Sequence, residues 1–213
     1  MPIYALGHQI PEIHPDAYVH PDAIVIGSVV IGAHSSVWPT AVLRGDDGHI
    51  YVGERTSIQD GTIVHTTFFH PTTIGDEVTI GHNAHLEGCT IHDRALVGSG
   101  AVVLHEVVVG EEAVVGANAF VPNRKQIPPL ARALGVPVTI TEHAVQPGWF
   151  ALGCRATSTV LRGIARSCAA STDASAGPSS GRGPCCCSCA PPNCYYLGRT
   201  NYVPGRRPPS RAD

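Results

Sequence analysis

The sequence predicts an all-β fold, a parallel β-helix built from three-sided coils. Three features predict it: branched aliphatics spaced by six, glycine directly after many of them, and an aromatic content of only 6% in 213 residues. Along the chain, Ile31, Val37 and Leu43 form a first series, and Val52, Ile58 and Val64 a second. Ile74, Ile80 and Leu86 form a third. The longest runs through Ile91, Val97, Val103, Val109, Val115 and Val121, five steps of six without a slip. The phase breaks at 46–49, at 66–73 and by one residue between Leu86 and Ile91.

A period of six matches neither an α-helix nor a plain alternating strand. It fits short β-segments joined by tight turns, with one aliphatic per segment pointing inward. Three segments close one coil, and successive coils stack their aliphatics into a column. β-Branched residues suit that extended backbone, and large rings do not fit its narrow axis. Glycine after the inward residue suits either a positive φ or a close backbone approach. Gly 23 and Pro 18 together make about a fifth of the chain, as a turn-rich fold requires. A β-sandwich, with turns every 8–12 residues, does not predict strict sixes.

The chain divides near residue 150. Residues 1–150 carry 6 Lys/Arg and 15 Asp/Glu, a net of −9, whereas 151–213 carry 8 Arg, no Lys and 2 acids, a net of +6. The acidic body argues against a nucleic-acid partner. No apolar run reaches the ~20 residues of a membrane helix. The N-terminus lacks a basic start followed by an apolar stretch, so the expected location is cytoplasmic. The expected organisation is a β-helix domain over 1–140 and a C-terminal segment over 141–213, irregular beyond about 150. That segment holds 7 of the 8 cysteines, including Cys185, Cys186, Cys187 and Cys189. It has no two separated CxxC motifs, and adjacent cysteines do not ligate one ion comfortably. Its abrupt change of composition suggests translation from a shifted reading frame.

Particular strings carry a resemblance. Ser36-Val37-Trp38-Pro39 is followed by Ala41-Val42-Leu43-Arg44-Gly45-Asp46, and Thr56-Ser57-Ile58-Gln59-Asp60-Gly61 by Val64-His65. Ile74-Gly75, Val78-Thr79-Ile80-Gly81-His82 and Gly88-Cys89-Thr90-Ile91 complete the set. Over about residues 10–140 the chain resembles the gamma-class carbonic anhydrases, a branch of the hexapeptide-repeat proteins. The resemblance implies a left-handed parallel β-helix with a C-terminal helix from about residue 140, a helix that a frame-shifted tail would lose. It also implies a homotrimer with a divalent metal between subunits, zinc first, with iron or cobalt as alternatives. The implied reaction is hydration of CO2 to bicarbonate. The metal would lower the pKa of its bound water to about 7, giving a nucleophilic hydroxide.

In that family three histidines bind the metal, two from one chain and one from its neighbour. His65 and His82 match two of these positions. The third position falls on Glu87, and a histidine, His85, stands two residues earlier. With Leu86 pointing inward, His85 and Glu87 share the outward face, about 6–7 Å apart at Cβ from the strand rise. Glu87 therefore holds the ligand direction, and His85 would need a shift. Two histidines and a carboxylate are an established zinc set with an open position, one that also admits other divalent metals.

Gln59 matches a glutamine expected beside the reacting water, where an amide donates and accepts without titrating. Arg44, Asp46 and Asp60 match an interface network in which a guanidinium binds carboxylates. Ser57 stands where relatives carry Asn. The segment 66–73, with Phe68, Phe69 and His70, is expected to project beside His65. Two rival readings remain at this level: a hexapeptide acyltransferase, and a scaffold that kept the fold without turnover. Glu87 and the unusual tail favour the second of these.

Overall fold

The computed structural model describes residues 2–149. The strands from Ile3 to Thr141 are short, mostly two or three residues long, and all pair in parallel except the last two. They form three faces. The long strand Val42–Val52 bends between two of them and joins both into one 12-stranded sheet. One half pairs with Ile63–His65, which is followed outward by His85–Glu87, Val102–Val103 and Phe120–Val121. The other half pairs with Thr72–Ile74, then Thr90–Ile91, Val108–Val109 and Gln126–Ile127. The third face is an 8-stranded sheet from Tyr18–Val19 to Val138–Thr141.

The six-residue series become three inward columns. Val25, Leu43, Val64, Leu86, Val103 and Val121 line one face; Ile31, Val52, Ile74, Ile91, Val109 and Ile127 line the second. Val37, Ile58, Ile80, Val97 and Val115 line the third. All are buried, so the core is one continuous stack. Parallel pairing aligns equivalent aliphatics, and each covers the one beneath it, which removes apolar surface from water. Every coil depends on its neighbours for burial, as in other solenoids.

The structure decides between the two roles open to the repeat glycines. Gly53, Gly81 and Gly98, each directly after an inward residue, are absent from the positive-φ positions. A Cβ at Gly98 would lie 2.5 Å from the backbone nitrogen of Ala117, and one at Gly81 would lie 2.6 Å from that of Ser99. These glycines admit the next coil. The left-handed conformation falls two residues later instead, on His34, Arg55, Glu77, Arg94 and Glu112 along one corner. Charge alternates along part of that corner, with Arg55 Nε donating to Glu77 Oε1 at 3.0 Å and Arg94 Nε to Glu112 Oε1 at 3.2 Å.

The C-terminal helix expected from about 140 does not begin within the described residues. Val138–Thr141 turns back antiparallel on Arg132–Gly135, and 142–149 continue as turns, with Val145 buried and its amide donating to Leu130 O. A registered antiparallel partner satisfies the Val138–Thr141 backbone, so the chain is still paired as a strand up to the point where the helix was expected to begin. The remainder of the 141–213 segment, with its cysteine cluster, lies outside the described residues. Among the described residues no helix is long and apolar enough to cross a membrane.

The packing yields a direct test. Gly98→Ala is expected to destabilise the fold by about 1–3 kcal/mol, the usual range for overpacking. Chemical denaturation measures this, and an unchanged midpoint would contradict the close-approach role.

Candidate metal centre

The register that buries Leu43, Val64 and Leu86 also builds a polar column. Arg44 pairs with His65, and His65 with Glu87, on adjacent strands. Side chains alternate along a strand, so these three residues point outward together. His65 sits between two carboxylates. Its Nδ1 lies 3.0 Å from Glu87 Oε1 and its Nε2 lies 3.1 Å from Asp46 Oδ1. Arg44 donates to the other oxygen of Asp46. His85 shares the face as its spacing predicts, with Nε2 3.4 Å from Glu87 Oε2.

His82, Asp60 and Gln59 form a second group at a corner of the coil. Pairing of Ser57–Ile58 with Thr79–Ile80 stacks the corners that follow these strands. His82 Nδ1 then lies 3.0 Å from Asp60 Oδ2, with both side chains about half exposed. The Gln59 backbone amide donates to Ile80 O, and its carbonyl accepts from Thr62 N. Ser57 is buried beside them, its Oγ without a hydrogen-bond partner among the described residues. Within one chain, Arg44 reaches Asp46 and Asp60 lies with the second group, so the expected network is divided between two places.

Both carboxylates beside His65 ionise more readily than usual. Burial opposes the charge on Asp46, but hydrogen bonds from its own amide and from His65, with the Arg44 guanidinium, hold its carboxyl below the usual range. Burial likewise opposes the charge on Glu87. Contacts to His65 and His85 and the field of His105 bring it below the usual range as well. Glu87 thus presents an anionic oxygen ligand. Cys89 lies near in sequence but takes no part: burial pushes its thiol up to about 12.

The 66–73 segment forms a tight turn, Thr67 and His70 bridging its ends. Phe68 and Phe69 contact each other edge to face at 5.1 Å and are 74% and 81% exposed, so neither ring covers His65 in the single chain. Thr72 ties the turn to the site. Its buried hydroxyl donates to His65 O and accepts from Gly88 N, linking the ends of two site strands.

Sequence reasoning missed His105. Its Nε2 is 3.6 Å from Glu87 Oε1, and its ring meets His70 edge-on at 5.5 Å. Leu86 pairs with Val103, only 17 residues on, so this coil is one residue short and His105 lies one position beyond the residue in register with Glu87.

The donor chemistry fits a divalent cation: imidazole and an ionised carboxylate lie side by side, partly buried. Their 3.0 Å separation compares with the roughly 3.3 Å edge of a tetrahedron having 2.0–2.1 Å metal–ligand bonds. Among the described residues of one chain, no group of three such donors is placed to hold a metal ion. A full set therefore needs a donor from a second chain or a rearrangement.

Residues 71–105 and 88–123 match the family described as bacterial transferase hexapeptide (six repeats). Over 124 residues the chain is 47% identical to gamma carbonic anhydrase 2, mitochondrial, of Arabidopsis thaliana, covering 55% of this chain and 45% of that one. Over 121 residues it is 45% identical to the carnitine operon protein CaiE of Escherichia coli (strain K12), covering 57% and 62%. The matched region thus spans about half the length of these curated relatives. A solved structure of a hexapeptide transferase family protein from Anaplasma phagocytophilum matches with a TM-score of 0.71 at 32% identity, covering 76% of this chain and 97% of that one.

Replacing Thr72 by Val removes both hydrogen bonds of a buried hydroxyl and leaves their partners unsatisfied. The expected loss is about 1–3 kcal/mol of stability, measured by denaturant unfolding. No loss would mean that the turn is not anchored through Thr72.

Proposed function

Because the chain belongs to the gamma-carbonic-anhydrase-like hexapeptide-repeat proteins, we propose that it hydrates CO2 to bicarbonate at a divalent metal held between copies of a homotrimer. One observation carries this reading. Both imidazoles expected as ligands are held through one nitrogen by an aspartate, His65 Nε2 by Asp46 at 3.1 Å and His82 Nδ1 by Asp60 at 3.0 Å. Metal-ligating histidines almost always have such a partner, which fixes the tautomer and strengthens the donor.

In this reading His65 and Glu87 of one copy and His82 of a second hold the ion, zinc in the first place. His85 touches Glu87 and is not required as a ligand. When bound, the cation supplies the Lewis acidity that brings deprotonation of water into the neutral range. Asp46 and Asp60 orient their imidazoles, and Arg44 fixes Asp46. Gln59, on the His82 side, offers an amide that holds the reacting water or CO2 by hydrogen bonds without changing charge.

A second reading, acyl transfer, is favoured by the likeness to the transferase family protein. A third, a metal-binding scaffold, is favoured by Glu87 in place of an imidazole. Metal analysis of the purified chain, stopped-flow CO2 hydration and acyl-CoA consumption separate them. The proposal expects bound metal and CO2 hydration. Metal without turnover supports the scaffold, and acyl-CoA consumption the transferase. Asp60→Asn is expected to lower metal affinity about 10–100-fold, read by chelator competition. Unchanged affinity would remove the buttressing role.

A further inference from the structure

We propose that His105 is a positioning residue of this centre, fixing the Glu87 carboxylate where an imidazole ligand would otherwise stand. The inference rests on the metal reading above. An imidazole ligand is rigid and offers one lone pair at each nitrogen. A glutamate has more rotatable bonds and two equivalent oxygens, so it needs outside contacts to present one oxygen in one direction. Those contacts are present. Oε1 lies between His65 Nδ1 at 3.0 Å and His105 Nε2 at 3.6 Å, and Oε2 faces His85 Nε2 at 3.4 Å.

His85 belongs to the same strand as Glu87 and moves with it. His105 comes from the next coil, so it ties the carboxylate to an independent part of the solenoid. At 3.6 Å the ring nitrogen faces the carboxylate at slightly more than hydrogen-bond distance. Its ring is itself held. His70 packs against it, and the missing side chain of Gly88 leaves it room: a Cβ there would lie 2.7 Å from His105 Cδ2 and 2.7 Å from His70 Cβ. The backbone is tied at the same level, with Glu106 N donating to Gly88 O at 2.7 Å and Arg124 N to His105 O at 2.9 Å. Outer partners that orient a ligand typically change metal affinity 10–100-fold when removed.

The test uses the full chain loaded with Co²⁺, read by chelator competition and by the visible absorption of the bound ion. His105→Ala is expected to weaken Co²⁺ binding about 10–100-fold and to shift the absorption bands. His105→Gln, which keeps an N–H donor, should recover most of both. His105→Phe, which keeps a ring against His70 without a donor, should behave like the alanine variant and guards against loss of packing. Wild-type affinity and spectrum in the alanine or phenylalanine variant would overturn the role of His105 alone. A wild-type chain that takes no Co²⁺ would overturn the metal reading with it.

Discussion

Stacked inward aliphatics govern the rest of this molecule. Each coil is too small to bury its own apolar residues, so stability comes from contact with the coils above and below. That requires strict parallel register, because a slip of one residue would turn the inward aliphatics to the surface. Register then fixes the outward residues as well. Val64 beside Leu86 in the core places His65 beside Glu87 on the outside. The polar column is a by-product of core packing.

The interruptions of the period locate the site. The long strand Val42–Val52 passes from one face to the next and carries Arg44 and Asp46 at its bend. The turn at 66–70 follows His65 directly, and Thr72 stitches it to both site strands. Between Leu86 and Ile91 the coil is one residue short, and Gly88 there has a positive φ that lets the chain tighten. Irregular backbone thus surrounds His65 and Glu87.

Glu87 changes the electrostatics of the column. An imidazole at that position would place two neutral rings side by side. A carboxylate adds negative charge beside Asp46, and the structure answers with His85 and His105 facing its two oxygens. Arg44 forms an ion pair with Asp46 on the neighbouring side of His65.

The fold was legible in the sequence because a core one aliphatic wide leaves a direct record in the spacing of Ile, Val and Leu. The sharing of one face by His85 and Glu87 was legible for the same reason, since alternation needs only the inward position of Leu86. The resemblance supplied His65 and His82 as candidates, but their partners were not readable. Asp46 with His65 and Asp60 with His82 are contacts across 19 and 22 residues, set by how the bend and the corners stack. His105 was hidden because the phase slip after Leu86 obscures which residue of the next coil faces Glu87. The repeat glycines make the same point. The sequence determined where they stand, while the stacking distance between coils decided that they serve close approach and that the left-handed turns fall on Arg55, Glu77 and Arg94. Local pattern determines what lies inside; only the assembled coils decide which outward groups meet, because those contacts depend on distances between segments far apart in the chain.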